Sequence, residues 1–383
     1  MPEVVAIAYF PDDETRLYQL AQWLPVLEVL DRAHPVGLVT RDPEAAAACR
    51  ELTKLPVLLA PSFSELTLLY GELGAKVVLY CNNSMRNFES LINTQMLHVH
   101  INHGESDKQS MASNVAKVYD RVFVAGEAAV HRHGVGLLEF DTARLVRVGR
   151  PPLDLRPAPL LPPSPRRTVL YAPTWEGDAD YNDYSSVDLH GPDIARAILA
   201  LPDVRMVYKP HPKVTTSTNA AIREGHYAIL AGLAQANDRE PDAGHAAITV
   251  GDILAVMPQC DGIVTDVSSV GLDWLYLHTE KPIVLFDRHR DPERLRRDVP
   301  VSRCADVIDG RNVAELTELL ASRLTHDEHH LARVAMRRHY FDDLQIGDST
   351  ARFLQALTEL ITLRDELIGA GEPPQGATET ATA

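Results

Sequence analysis

Short runs rich in Val, Ile and Leu recur along the chain, each closed off by Pro, Gly, Asp or Asn, and between them apolar residues fall at helical spacing. In the first 150 residues the runs at 4–8, 36–39, 57–59, 76–80, 97–101 and 121–124 predict strands. The intervening patterns at 14–30, 44–52 and 65–73 predict helices. After residue 165 the alternation resumes. Strands are predicted at 168–171, 205–208, 246–250, 262–265, 282–286 and, more weakly, 305–308. Helices are predicted at 194–201, 252–257, 270–278, 313–324, 329–339 and 349–368. Strands that alternate with helices pair in parallel, and parallel strands buried on both faces read as continuous apolar runs. The pattern therefore predicts an α/β protein with two Rossmann-like, doubly wound domains and a cleft between them, at the carboxyl ends of the strands.

Composition places the boundary. Residues 151–165 hold seven prolines in fifteen positions. Proline fixes φ and removes a hydrogen-bond donor, so this segment is expected to be neither helix nor central strand. The expected organisation is an N-terminal Rossmann-like domain over 1–150, a proline-rich linker over 151–167 and a second domain over 168–345. A C-terminal helix over 346–370 packs back on the first domain, and a Gly/Pro/Thr/Ala-rich tail at 371–383 is expected to be disordered.

Charge narrows the partners. The 383 residues carry 37 Lys+Arg against 53 Asp+Glu, a formal charge of −16. That balance argues against nucleic acid as a partner and against adhesion to anionic lipid through charge alone. No run reaches the roughly 18 apolar residues of a spanning helix, and the start lacks the basic region of a signal peptide. The four cysteines, Cys49, Cys81, Cys260 and Cys304, form no CxxC pair and read as free thiols of a cytoplasmic protein.

Four segments can carry chemistry. At 261–274, a strand ends at Thr265 and is followed by Asp266, Ser268 and Ser269, then a helix. The two serines either cap that helix or, with its free N–H groups and dipole, bind an anion; Gly271 would permit close approach of a phosphate. In Tyr208-Lys209-Pro210-His211-Pro212-Lys213 two prolines constrain His211 at a strand's end, where it and its lysines can hold phosphate oxygens or form a solvated turn. The third segment holds His98, His100 and His103. The first two lie on one face of a buried strand with no completing ligand, so no metal is expected there. His103, before Gly104, sits where strand gives way to loop and can act as a general base towards a hydroxyl, with Glu105 or Asp107 to orient it. In the fourth, Tyr171-Ala-Pro-Thr-Trp175, Trp175 either packs on a base or plugs the domain edge. The acidic stretch 178–188 reads as a mobile loop and a lid. No GxxxxGK[ST], HExxH or GxSxG motif occurs, which removes P-loop, zincin and α/β-hydrolase readings.

The order of these pieces resembles the CDP-glycerol glycerophosphotransferases of teichoic acid and capsule synthesis. The resemblance rests on His103-Gly104 with Lys108, on Tyr171–Trp175, on Lys209-Pro-His-Pro212 and on Thr265-Asp-x-Ser-Ser269, supported by Lys281-Pro-Ile283 and Asp348-Ser-Thr350. It implies a GT-B-like architecture and a peripheral enzyme at the cytoplasmic face of the membrane. It implies a CDP-polyol donor, CDP-glycerol first, and a lipid-linked or polysaccharide acceptor; no cofactor is implied. His103 looks like the base, and His211, Ser268 and Ser269 look like diphosphate contacts, joined by Thr174. Gly104, Lys108, Trp175, Lys209, Thr265 and Asp266 complete the expected substrate-binding set. Three positions depart from the family: Asn102 and Glu176 replace an aromatic and a basic residue, and Val267 replaces Tyr. They bear on donor and acceptor identity rather than on fold.

Two other functions fit the same pattern. One is a GT-B glycosyltransferase using a nucleotide-sugar, which would release a nucleoside diphosphate. The other is a catalytically silent nucleotide-binding protein. For membrane contact the candidate is Arg16 to Leu20 with Trp23 and Leu24, which reads more readily as an ordinary core-packing helix.

Overall fold

The computed structural model describes residues 2–155 and 157–371. Two parallel sheets organise the chain. The first has seven strands: β1 (Ala6–Phe10), β2 (Val36–Thr40), β3 (Val57–Leu59), β4 (Val77–Tyr80), β5 (Leu97–His100), β6 (Arg121–Val124) and β7 (Leu145–Arg147), in the order β3-β2-β1-β4-β5-β6-β7. The second has six: β8 (Arg167–Ala172), β9 (Val204–Tyr208), β10 (Ala246–Ala247), β11 (Gly262–Asp266), β12 (Ile283–Phe286) and β13 (Asp306–Ile308), in the order β10-β9-β8-β11-β12-β13. Every strand of β1, β2, β4, β9, β11 and β12 is buried along its whole length. Helices on both faces demand this, and it is why those strands read as continuous apolar runs.

Each sheet separates two cores. Ala6, Ala8 and Phe10 of β1 point into one, Ile7 and Tyr9 into the other. Leu170 and Ala172 of β8 part from Val169 and Tyr171 in the same way. The helix Asp348–Gly371 sends Phe353, Leu357, Leu360 and Ile361 into the core of the first sheet, where Phe353 lies 5.3 Å from the ring of Trp23. The helix His330–Phe341 does the reverse: its Tyr340 and Phe341 share a core of the second sheet with Ala125 and Ala128 of the first half. In each sheet the chain winds outward and then returns, so the order reverses between β1 and β4 and between β8 and β11. Those two switch points are where an open α/β sheet leaves a crevice at its carboxyl edge.

Several expectations change. The single helix expected at 14–30 is broken into a 3-10 turn at Glu14–Arg16, a short helix at Tyr18–Ala21 and a helix at Leu24–Asp31, which starts afresh with Pro25 in its first turn. Leu17, Leu20, Trp23 and Leu24 of this segment are buried, so its apolar face is spent on the core and is not offered to a membrane. The proline-rich stretch does form helix: Pro151–Asp154 is one turn, since prolines in the first turn give up N–H groups that have no helical partner anyway. The helix expected at 252–257 is two 3-10 turns, Ile253–Ala255 and Met257–Gln259, and the strand expected at 246–250 shrinks to Ala246–Ala247. A helix absent from the sequence reading, Ala220–Arg239, is capped by the Asn219 side chain. Its Gly225 packs so tightly that a methyl group there would lie 2.2 Å from the Val187 carbonyl oxygen. The expected disordered tail at 371–383 falls outside the described residues from 372 onward.

Candidate active site

The two switch points face one another. From the first sheet, His103 follows β5. Its backbone turns at Asn102, which sits at φ 51°, a left-handed value that Asn tolerates better than most residues. Trp23 donates its indole N–H to the Asn102 carbonyl at 2.5 Å, and Asn102 Oδ1 accepts the His103 N–H at 2.8 Å. His103 Nδ1 lies 3.3 Å from the Cys81 carbonyl oxygen. A carbonyl only accepts, so the proton sits on Nδ1 and the Nε2 lone pair is free. Burial, aided by Arg150 and Lys213, pushes the His103 pKa down to about 4, so the ring is neutral.

His211 approaches from the second sheet, beyond β9. Its N–H donates to the Pro173 carbonyl at 3.0 Å, and its Nδ1 accepts the Lys213 N–H at 3.2 Å. That bond fixes the opposite tautomer: the His211 proton is on Nε2. Burial and the neighbouring Lys108, His103, Lys213 and Lys209 hold its pKa well below the ordinary value. Tyr18 stands edge-on to both rings, with centroids 6.3 Å from His103 and 5.4 Å from His211. The two histidines thus border one space, one ready to take a proton and the other to donate a hydrogen bond.

The serine pair closes the floor. The helix Ser269–Leu277 begins after Ser268, which occupies the cap position yet makes no capping hydrogen bond. Its hydroxyl is buried and has no partner. Such an orphan at a positive helix end is an anion-site arrangement rather than a spent cap. Gly104 packs directly on this turn, for a methyl group there would sit 2.9 Å from Ser269 Cβ. Lys108 crosses from the first half: its Nζ donates to Thr174 Oγ1 at 3.4 Å, and burial lowers its pKa to about 8. Trp175 stacks on His211 at 6.0 Å and carries Lys213 Nζ 3.5 Å above its ring. Lys209 is buried behind these groups, and burial lowers its pKa.

Two expected contacts are fully buried. Thr265 is fully buried and its hydroxyl donates to the Ala172 carbonyl at 2.7 Å, its register partner across the β8–β11 pair. Asp266 is also fully buried. Its Oδ2 accepts the N–H groups of Thr174 at 2.8 Å and Ser186 at 3.2 Å, and burial pushes its pKa up to about 7. Both shape the loops that form the wall; Asp266 Oδ1 is buried without a partner and its charge acts on Lys108. Glu105 and Asp107 do not orient His103 but pair with Arg132, while the Cys81 carbonyl holds the imidazole. The stretch 178–188 is only half a surface loop: Ser185, Ser186 and Val187 are buried, and Arg288 clamps Asp188 at 2.6 and 2.9 Å. His98 and His100 are bonded within the core, to Tyr80 and Asn93 and to Asn82. Among the described residues no group of three or more His, Cys, Asp or Glu is arranged to hold a metal. All four cysteines are free and buried.

Tyr18 entered the sequence reading only within the candidate membrane segment, not as a site residue, because its partners lie far along the chain. Arg150 was hidden at the edge of the proline-rich segment. It makes a bidentate bond to Asp273 and a third bond to the His103 carbonyl.

The model of the family described as CDP-glycerol:poly(glycerophosphate) glycerophosphotransferase matches residues 161–359, just over half of the chain. No curated protein matches it by sequence. Among solved structures, the wall teichoic acid polymerase TagF aligns with a TM-score of 0.61 at 12% identity, over 94% of this chain and 90% of its own. MnaA from S. aureus, solved with UDP, aligns at 0.59 and 14% identity over 95% and 98%. The glycotransferase of kitacinnamycin aligns at 0.56 and 14% over 94% and 100%. At these identities the likeness is one of fold, and the fold is GT-B-like.

Proposed function

The chain belongs to the CDP-glycerol:poly(glycerophosphate) glycerophosphotransferase family, and from that premise we propose that it moves a polyol phosphate, most simply glycerol phosphate, from a CDP-activated donor to a hydroxyl of a cell-envelope or capsule acceptor, releasing CMP. The observation that carries the reading is the pair of neutral histidines in opposite tautomers on either side of Tyr18. Transfer needs one group to accept the attacking hydroxyl's proton and another to donate to phosphate oxygens.

The acceptor oxygen attacks the donor's β-phosphorus. Its proton passes to His103 Nε2, the bond from the β-phosphorus to the bridging oxygen breaks, and CMP leaves with that oxygen. His211 donates from Nε2 to the phosphate. The Ser268 hydroxyl and the first-turn N–H groups of the Ser269–Leu277 helix hold the charge beside it, with Lys108 as the cation. Fixed donors of this sort lose no energy to reorganisation during reaction, and each is typically worth roughly 3 kcal/mol in the barrier. Trp175, held against His211 and Lys213, forms the wall of the donor side. No described helix is long and apolar enough to cross a membrane; in this reading the enzyme meets a lipid-linked acceptor peripherally, at the cytoplasmic face.

Thermal unfolding with CDP-glycerol, CDP-ribitol, CMP, UDP-GlcNAc and GDP-mannose tests the donor. A ligand at about 100 times its Kd adds roughly 2.7 kcal/mol, a shift of several degrees. Shifts with the CDP-polyols and CMP, followed by CMP release on adding an acceptor, support the reading. Shifts with UDP- or GDP-sugars alone would convert it to a glycosyltransferase, and binding without turnover to a silent nucleotide-binding protein.

A further inference from the structure

We infer that Arg150 and Asp273 are a positioning pair that sets His103 against the amino end of the Ser269–Leu277 helix. The inference rests on the reading of His103 as the base. Arg150 directly precedes the single helical turn Pro151–Asp154 that leads from the first sheet to the second. Its side chain is 5% exposed and that of Asp273 is 3%. Nε donates to Asp273 Oδ1 at 3.1 Å and Nη2 to Oδ2 at 3.2 Å, a fork-to-fork pair. The same Nη2 reaches the His103 carbonyl at 3.3 Å.

The backbone under Arg150 is fixed as well. Its N–H donates to Ser349 Oγ at 3.1 Å, and Gly149, at φ 78°, leaves no room for a side chain, since a methyl group would lie 2.1 Å from that oxygen. One guanidinium therefore grips the backbone of the residue that bears the base. Through Asp273 it also grips the helix whose first residues follow Ser268. Stability does not account for this arrangement, because a well-packed apolar pair commonly does as well as a buried ion pair or better. Geometry does, since a misplacement of about 1 Å can cost roughly 100-fold in rate.

The pair also acts on charge. Burial does most to hold the His103 ring neutral, and Arg150 is the largest charge acting with it; Lys213 also faces the ring, with His211, Tyr18 and His100 around it. Removing the Arg150 charge should raise the His103 pKa, while burial still holds it below the ordinary value. Removing the Asp273 charge alone leaves Arg150 uncompensated and should hold His103 at or below about 4. A purely structural pair predicts no such opposition.

The test compares Asp273→Asn with the double variant Arg150→Met/Asp273→Leu, which keeps the site apolar and packed if single removal of Arg150 prevents folding. The His103 ring is titrated by NMR in protein labelled at histidine, its signal assigned with His103→Ala. CMP release gives kcat and KM. In the double variant the His103 signal should titrate at higher pH, with kcat down about 100-fold and the donor KM at the wild-type value. In Asp273→Asn the signal should titrate no higher than in wild type. Equal displacement in both variants, or none in either, overturns the inference. If the signal moves as stated while His103→Ala keeps full activity, the pair stands and the base assignment falls instead.

Discussion

The loops that carry His103 and His211 meet at Tyr18, yet the chain builds them by different means. The His211 loop is shaped largely by its own residues, with its N–H anchored on the Pro173 carbonyl of the neighbouring strand end. Pro210 and Pro212 bracket the residue, and its Nδ1 accepts an N–H only two residues on. The His103 loop depends on distant partners. Trp23 holds the preceding carbonyl, Cys81 holds the ring and Arg150 holds the His103 carbonyl. A turn specified by neighbouring residues travels intact as a short motif. One specified by tertiary contacts is only as good as the packing around it.

The largest effect should separate the two histidines by role. His103→Ala should lower kcat by about 10²–10⁴, the usual worth of a general base, and leave the thermal shift with CDP-glycerol in place. His211→Ala should weaken both turnover and the shift, because it removes a contact to the donor itself. A His103 variant that retained more than about a tenth of the wild-type rate would remove it from the role of base.

Next in size is the pH profile of kcat/KM, which reports the free protein's ionisable groups. His103 must be unprotonated, so activity should rise as pH climbs through about 4. Lys108 must be charged to hold phosphate, so activity should fall as pH climbs through about 8. Lys108→Arg keeps the charge at any accessible pH and should remove that alkaline fall. Asp266, at about 7, titrates in the same window from beneath the wall. A fall that survives Lys108→Arg and disappears in Asp266→Asn would assign it to the carboxyl.

The same contrast explains what was legible beforehand. The fully buried strands were, because a parallel strand buried on both faces leaves a continuous apolar run whatever surrounds it, whereas the part-exposed edge strand β7 was not expected. The residues of the second half's wall were legible as motifs, since Tyr171–Trp175 spans a strand end and Lys209–Pro212 follows one directly. Thr265 and Asp266 were read as contacts because they belong to such a motif. Only the structure tells that the Thr265 hydroxyl turns back towards Ala172 and Asp266 Oδ2 towards Thr174 and Ser186. Tyr18, Arg150 and Asp273 could not be found, for their meaning lies in contacts between residues far apart in the chain. The helix Ala220–Arg239 was missed for a local reason: Gly225 and Gly232 lower its intrinsic propensity, and Gly225 is there for its close approach to Val187.

A smaller effect should fall on the loop held from a distance. Asn102→Ala puts a Cβ-bearing residue at φ 51° without the side-chain oxygen that accepts the His103 N–H. The left-handed conformation costs an ordinary residue roughly 1–2 kcal/mol. Stability should drop by about that much in urea unfolding, and kcat should fall with it as the imidazole loses its setting. Asn102→Gly relieves the strain, so it should recover most of the stability and less of the kcat. Equal recovery of both would mean that backbone strain alone, and not the hydrogen bond, sets the ring.

The smallest effect belongs to the local loop. Pro212 is the first residue of a helical turn, Pro212–Thr215, where its missing N–H forfeits no helical bond. Pro212→Ala leaves the Lys213 N–H free to donate to His211 Nδ1 as before, so the tautomer and the donor face of the ring survive. What changes is the unfolded chain, which gains freedom, at a cost of about 0.4–1 kcal/mol in stability. Turnover should stay close to wild type. If Pro212→Ala instead reduced kcat more than Asn102→Ala does, the proline would be setting the His211 ring through strain in the folded state. The two loops would then be alike in depending on more than their own hydrogen bonds.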